Sequence, residues 1–127
     1  MRIKKLIIGL ILSSLLGSEM AAADWGDDYY CRMSNHMKVF FNGRQQNERL
    51  ETFQFKLDKA RNAMVFGSKG LLKNEVYVIN VGMSDPKKEI WVAQDMFTKT
   101  FFNQGQFAFA IVGPRGVFSI TADCKKF

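Results

Sequence analysis

Apolar and polar residues alternate along most of the chain that follows the first two dozen residues. Residues 52–58 show this most clearly, because three apolar side chains there are separated by polar ones. A period of two places the apolar side chains on one face, which is the pattern of a half-buried β-strand. Residues 117–123 repeat the same alternation, and in residues 106–112 the large apolar residues Phe107, Phe109 and Ile111 face one way. The pattern therefore predicts a protein built from short strands.

Turn-forming dipeptides separate several further extended runs. These runs occupy residues 39–41, 63–66, 75–81, 89–93 and 96–102. Residues 45–51 are polar and predict a loop or one helical turn. Short links favour pairing between strands that are neighbours in sequence. The expected fold is all-β, a small antiparallel up-and-down barrel or sandwich of seven to eight strands.

The first 23 residues have the three parts of a secretory signal peptide. A basic start precedes an apolar run from Leu6 to about Leu16, and Ala21-Ala22-Ala23 supplies the small residues of a cleavage point. The apolar run is too short to cross a bilayer, which takes about 20 residues. We expect residues 1–23 to be removed and residues 24–127 to form a single β domain. This mature protein would be periplasmic or secreted, with no membrane span.

Removal of the signal lowers the net charge of the protein. The signal holds three of the 18 basic residues and one of the 12 acidic residues, so the mature net charge is +4 rather than +6. The remaining Lys and Arg residues are scattered through turns, whereas nucleic-acid binding needs a clustered basic stripe with stacking aromatics. We therefore expect no nucleic-acid partner, and we expect a monomer.

The chain has two cysteines, Cys31 and Cys124, at opposite ends of the mature sequence. Export exposes them to an oxidising compartment, where two cysteines usually pair. A bond between them requires both ends of the domain to lie side by side, as the first and last strands of a closed sheet do. The sequence therefore predicts a Cys31–Cys124 disulfide.

No motif for a catalytic, metal or cofactor site occurs in the sequence. The single histidine, His36, has no cysteine or second histidine at metal-ligand spacing, and we expect it at the surface or in a hairpin. Asp27 and Asp28 could contribute to a hard-cation site, but the spacing of an EF-hand is absent. We expect neither an enzyme nor a cofactor.

Recognition in a small meander falls to the loops, because the strands are committed to the core. Three loops offer Lys or Arg on a backbone shaped by Gly or Pro: residues 67–70, 85–88 and 113–116. The candidate partner-binding residues are Lys69, Lys87, Lys88 and Arg115.

Two apolar features of the sequence have two interpretations each. Residues 107–112 are apolar at every position, which is typical of a strand buried on both faces, or of one whose small Ala residues lie under a neighbouring segment. The alternative is that one of those faces belongs to a pocket or a partner surface. Trp91 and the Tyr29-Tyr30 pair could be core residues or binding anchors.

The surroundings of the two cysteines, Tyr30-Cys31 and Asp123-Cys124-Lys125-Lys126, resemble those of small periplasmic one-disulfide β-barrel proteins. The best-understood proteins of this kind are the inhibitors of C-type lysozyme. The resemblance implies a barrel whose ends are joined by the disulfide. Those inhibitors insert a loop carrying Ser-Gly-x-x-Tyr into the lysozyme cleft. Here residues 67–70 read Gly-Ser-Lys-Gly, in a different order and with no tyrosine.

These observations favour a non-enzymatic, protein-binding module of the bacterial envelope, with an envelope or extracellular protein as its partner. One alternative is a carrier that holds a small apolar molecule inside the barrel. Eight strands leave an interior that side chains just fill or that holds one small ligand, and the 12 Phe residues favour a filled interior. The other alternative is a protein that acts like the lysozyme inhibitors.

Overall fold

The structure, a computed structural model, describes residues 23–127 and contains nine strands and one short 3₁₀ turn in that part of the chain. The predicted signal peptide lies outside the described residues, except for its last residue, Ala23, which is buried. The strands are β1 (Asp28–Phe40), β2 (Gln45–Asn47), β3 (Thr52–Asp58), β4 (Ala63–Phe66), β5 (Val76–Val78), β6 (Ile90–Gln94), β7 (Thr98–Asn103), β8 (Gln106–Gly113) and β9 (Gly116–Lys126). The 3₁₀ turn is Pro86–Lys88.

Eight of the strands form one antiparallel sheet that is nearly closed into a barrel. The order is β5-β4-β3-β1-β9-β8-β7-β6, and β2 pairs only with β1. A single bridge between Ile79 and Ala93, and a 2.7 Å hydrogen bond from the Asn80 amide to the Val92 carbonyl, join the two ends of this order. Successive barrel strands are therefore neighbours, and the all-β, up-and-down prediction is confirmed.

The first and last strands of the barrel pair along most of their length. Cys31 lies directly opposite Cys124 in this ladder, and the structure joins them by a disulfide, as predicted. The bond closes the sheet between its two longest strands. Both ends of the domain are thus fixed at one wall of the barrel.

The barrel interior is filled mainly by aromatic side chains. The alternation in β3 buries Phe53, Phe55 and Leu57 and exposes the polar residues between them. The Phe55 ring lies 5.0 Å from Phe102 and 5.9 Å from Phe107 between ring centroids. Aromatic pairs at these separations add to the energy of apolar burial. The interior is a packed core of the kind that the high Phe content favours.

The end of the barrel at which β1 begins is closed by the segment that precedes β1. Trp25 meets Trp91 edge to face at 5.0 Å, and the Gly26 amide donates to the Leu57 carbonyl. Trp91 is fully buried and Tyr29 is nearly so, whereas Tyr30 points outward. Of the residues that had two interpretations, Trp91 and Tyr29 are therefore core residues.

The strand boundaries differ from the sequence prediction in two places. Residues 45–51, expected to be a loop or a helical turn, include the short strand β2, because the turn after β1 returns the chain alongside it. β1 is much longer than its apolar residues 39–41 suggest, since it begins at Asp28. Polar residues on the outward face of β1 interrupt its apolar residues, so an apolar run marks only its last part.

Candidate functional site

The barrel has two different ends. The proximal end carries the termini of the domain, the turn between β3 and β4, and the loop between β5 and β6. The distal end carries the links β1–β2–β3, β4–β5, β6–β7 and β8–β9. This follows from the antiparallel order and from the direction of each strand.

The four candidate partner-binding residues do not form one surface. Lys69 and Arg115 lie in distal loops, while Lys87 and Lys88 lie in the proximal loop. Gly70 approaches the Thr52 carbonyl at the level of Arg32, whereas Phe41 donates to the Arg115 carbonyl. At about 3.3 Å per residue, Lys69 and Arg115 differ by roughly 30 Å in height along β1. Arg115 alone lies at the distal tip.

A ribbon made of β8, β9, β1 and β2 extends beyond the rest of the barrel at the distal end. β1 has 13 residues and β9 has 11, while β3 begins opposite Arg32 and β7 begins opposite Ile111. The strands beyond these points have no opposite barrel wall. The inner face of the ribbon, which continues the barrel interior, is therefore left open.

This open inner face forms a groove of about 310 Å³. The strand register places Phe40 opposite Gly116, Gly116 opposite Gly113, and Phe118 opposite Ile111. Lys38 and Arg115 also line it. We call this feature the distal groove. Its floor is apolar and its rim is basic.

The paired glycines create the depth of the distal groove. A Cβ at Gly116 would collide with the Val39 carbonyl oxygen, and Gly116 has a φ of +141°, so no larger residue fits there. A Cβ at Gly113 would meet nothing within 4 Å. Two facing positions on adjacent strands therefore carry no side chain, and space remains above the floor.

Three cations surround the groove. The Arg44 guanidinium lies over the Phe40 ring at 4.4 Å from its centroid, a cation–π contact. The Lys38 ammonium lies 3.4 Å from Glu48. Among the ion pairs of residues 23–127, none involves Arg44 or Arg115. Both guanidinium groups are thus available to an anionic ligand.

Large apolar side chains are exposed around the distal tip. Phe41 is 75% exposed, Met96 is 86% exposed and Phe97 is 62% exposed. The Phe97 carbonyl accepts a 3.0 Å hydrogen bond from the Val112 amide, which holds the β6–β7 turn against β8. These residues surround the groove with further apolar surface.

The outer face of β8 is uncovered. Ala108 and Val112 are exposed, and Val112 is 59% exposed. The interpretation that residues 107–112 are buried on both faces is therefore wrong. β8 carries Phe107 and Phe109 inward, and no other segment among the described residues covers its small outward side chains. The second interpretation, that one face belongs to a pocket or a partner surface, stays a prediction.

The excess positive charge of the domain lies mainly at the distal end. The distal segments, residues 38–51, 67–75, 95–99 and 111–118, hold seven basic and four acidic side chains. The rest of residues 23–127 holds eight basic and seven acidic side chains. Three of the four net positive charges are thus distal. Such an asymmetry orients an approaching anion toward one end of the molecule.

His36 lies just below the groove and is buried, only 6% exposed. It was expected at the surface or in a hairpin, and it lies in the β1–β2 hairpin with its side chain buried. Its Nδ1 lies 2.6 Å from the Arg49 carbonyl, which it reaches as a proton donor, and its ring meets Phe118 at 4.9 Å. Its Nε2 is buried with no partner among the described residues. The contacts make His36 part of the support beneath the groove floor.

Asp95 begins the β6–β7 turn, and Tyr77 of β5 lies near it. Burial, and then the carboxylates of Glu75 and Asp95, raise the pKa of Tyr77 to about 12. The Thr98 hydroxyl donates to Asp95 at 2.6 Å, and the Phe97 and Thr98 amides donate as well. These bonds lower the pKa of Asp95. They fix the turn that carries Met96 and Phe97.

Asp27 and Asp28, considered above as cation ligands, lie at the proximal end. Asp27 accepts a hydrogen bond from the Asp24 amide and pairs with Lys126 at 3.2 Å. Residues 23–127 contain no group of three or more His, Cys, Asp or Glu side chains placed to hold a metal ion. None of the helical segments described is long and apolar enough to cross a membrane.

Two further concavities, of about 320 and 410 Å³, lie on the outer surface on either side of Tyr30. One is lined by Lys69 and its loop, and the other by Arg32 and Lys125. Both are more polar than the distal groove. Lys69 therefore contributes to a surface separate from the one that contains Arg115.

Sequence reasoning found Arg115 but missed Lys38, Phe40 and Arg44. The Gly-Pro-Arg-Gly turn is visible in the sequence and indicated Arg115. Which residues of β1 lie beside that turn depends on the register of β1 with β9, which no local pattern shows. Comparisons of the chain with family models, curated proteins and solved structures give no match. The distal groove therefore rests on its own geometry.

Proposed function

We propose that the protein is an exported, non-enzymatic binding module of the bacterial envelope that recognises a protein partner through the distal groove. The observation that carries this proposal is the open, apolar face that projects from an otherwise closed barrel. An apolar concavity with a few polar groups at its edge is the usual form of a binding site. The exposed Phe41 and Phe97 enlarge that surface beyond the groove itself.

The packing inside the barrel supports a binding module over an apolar-ligand carrier. Phe53, Phe55, Phe66 and Phe107 occupy the centre of the interior, with ring centroids about 5 to 6 Å apart. A ligand inside the barrel would have to displace these rings. The distal groove offers an apolar surface without that cost.

The disulfide and the sequence pattern of the first 23 residues support export. Disulfides persist in oxidising compartments such as the periplasm and are rare in the cytosol. The bond joins the two strands that complete the barrel, so folding and oxidation act on the same contact. Periplasmic or extracellular placement is part of this proposal.

Affinity capture from envelope extract tests the proposal with two variants of the same strand. Gly113→Phe fills the groove, because a side chain there enters open space. Val112→Phe adds the same ring on the outer face and serves as the matched control. We expect a partner that wild type and Val112→Phe retain and Gly113→Phe loses. Partners that Gly113→Phe retains in full would contradict the proposal.

An assay with a C-type lysozyme tests the inhibitor-like alternative in parallel. The relevant loop is residues 67–70, so Lys69→Ala is the informative change. Inhibition that depends on Lys69 and not on Gly113 would place function in that loop. It would replace the distal groove as the recognition site.

A further inference from the structure

The charge around the distal groove restricts what can occupy it. Arg44 and Arg115 have no carboxylate partner among the described residues, and Glu48, which lies beside Lys38, is paired with it. A cationic ligand would face repulsion from this rim, while an anionic ligand would meet complementary charge. The rest of residues 23–127 has a net charge of only +1 and offers no comparable field.

Arg44 lies beside the floor of the groove, with its guanidinium carbon 4.4 Å from the centroid of the Phe40 ring. It has no carboxylate partner among the described residues, so its N–H groups are available to a ligand. Arginine can bind a carboxylate through two parallel hydrogen bonds. A planar cation at the edge of an apolar groove therefore favours a ligand that carries a carboxylate.

The volume of the groove limits the size of the apolar group that a ligand can place in it. Its volume of about 310 Å³ lies at the lower limit for binding pockets. Phe40, Ile111 and Phe118 form its floor, and the missing side chains at Gly113 and Gly116 leave room above them. Such a space accommodates an anchoring side chain and is small for an entire ligand of drug size.

From the rim and the floor together we infer that the distal groove binds an acidic segment of another protein, with one large apolar side chain as its anchor. This inference rests on the proposed function, since it names the kind of partner for the same groove. The anchor lies against Phe40, Ile111 and Phe118. Carboxylates on either side of it pair with Arg44 and Arg115.

A defined peptide tests the inference directly. The probe is an end-blocked, fluorescent peptide with one Phe between two pairs of Glu, and binding is followed by anisotropy. A second peptide replaces every Glu with Lys, and a third replaces the Phe with Ser. We expect saturable binding of the first alone. Raising the salt to about 1 M, where the Debye length falls to about 3 Å, should weaken it strongly.

Charge-removing variants locate the carboxylate contacts. Arg44→Met keeps an aliphatic side chain near Phe40, and Arg115→Met does the same at the turn. Each should weaken the acidic peptide about tenfold, as expected for one lost charge-assisted hydrogen bond. Lys87→Met and Lys88→Met, at the proximal end, are the matched controls and should leave the affinity unchanged. Urea unfolding of each variant checks that the fold is retained.

Three results would overturn the inference. The first is equal binding of the Glu and Lys peptides, and the second is equal affinity of wild type and the two Arg variants for the acidic peptide. In either case, loss of a captured partner by Gly113→Phe would leave the proposed function standing without this inference. The third is absence of saturable binding of the acidic peptide, which would be most informative if the protein bound tightly to phosphatidylglycerol vesicles. Such vesicle binding would assign the basic, apolar distal end to a lipid surface.

Discussion

Replacing both cysteines with Ala should lower the stability of the domain without abolishing the barrel. The disulfide joins residues separated by 93 positions, so it restricts nearly the whole unfolded chain. In the chain-entropy model a closed loop of this length is worth about 4 to 5 kcal/mol. For a domain of about 100 residues, this corresponds to a fall in Tm of about 20 °C.

The folded state keeps other links between the same two strands. Eleven register pairs connect β1 and β9, and the Cys31–Cys124 pair is one of them. Both Cys→Ala changes remove little volume from the wall. The double variant should therefore remain folded, with its stability reduced mainly because its unfolded state is less restricted.

Urea titration followed by the fluorescence of Trp25 and Trp91 measures the effect, because these rings lie against each other in the folded state. The m-value should rise in the double variant, since its unfolded chain exposes more surface. A matched control removes a non-covalent link across the same strands. Ser34→Ala breaks the 2.9 Å hydrogen bond to Thr121, which is exposed, and should cost no more than about 1 kcal/mol.

The reasoning would fail in either of two ways. A loss below about 1 kcal/mol with an unchanged m-value would mean that loop closure contributes little to stability. Complete unfolding of the double variant under native conditions would mean that the β1–β9 ladder cannot hold the barrel closed. Chemical reduction of the wild-type protein should reproduce the double variant and excludes an effect of the Ala side chains.

Three further predictions follow from the core and the distal turn. Phe55→Ala should cost about 3 to 5 kcal/mol in urea unfolding, while Phe55→Leu should cost less, because the Phe55 ring is fully buried among aromatic rings. Burial and nearby carboxylates raise the pKa values of Tyr29 and Tyr77 to about 12. The contribution of these two groups to stability should therefore be constant below pH 10 and fall between pH 10 and 12, where the unfolded chain loses protons first. Tyr29→Phe and Tyr77→Phe should each make that fall smaller. Asp95→Ala should destabilise the β6–β7 turn and remove part of the stability loss on acidification, because the hydrogen bonds that lower the pKa of Asp95 stabilise the fold only while the carboxylate is ionised. Asp95→Asn keeps an acceptor for the Thr98 hydroxyl and should retain more stability.

The sequence was sufficient for the barrel because its signals are local. The alternation in residues 52–58 fixes which face of β3 is buried, and the burial of Phe53, Phe55 and Leu57 follows it. The two cysteines added one long-range constraint, which a closed meander satisfies. Pattern and cysteines together therefore predicted the order of the strands.

The candidate site depends on long-range features that no local pattern carries. Gly113 faces Gly116 because of the turn between them, but Phe40 joins them only through the register of β1 with β9. A bulge between Met33 and Asn35 shifts that register by one residue. The alternation before Met33 therefore does not predict that Lys38 and Phe40 face inward.

The four predicted binding residues show that composition can identify basic loops but cannot tell which loops lie at the same end of the barrel. Each is a basic residue in a loop shaped by Gly or Pro, yet topology puts Lys87 and Lys88 at the end opposite Arg115. In an up-and-down barrel, consecutive links alternate between the two ends, so two links separated by an odd number of steps never share a surface. The β5–β6 and β8–β9 links are three steps apart, so the order of strands is enough to separate these residues.

The ribbon at the distal end exposes much apolar surface to water. It has apolar residues on its inner face, exposed Val112 and Val117 on its outer face, and Phe41 at its tip. Exposed strand surface of this kind favours aggregation, and proteins usually limit it with charge. Lys38, Arg44 and Arg115 supply that charge while leaving the floor accessible. If the ribbon only supported the barrel, filling the groove through Gly113→Phe would bury more apolar surface and reduce the tendency to aggregate, with no loss of partner binding. A loss of partner capture by Gly113→Phe, with the urea midpoint unchanged, would show instead that the open space is kept for binding.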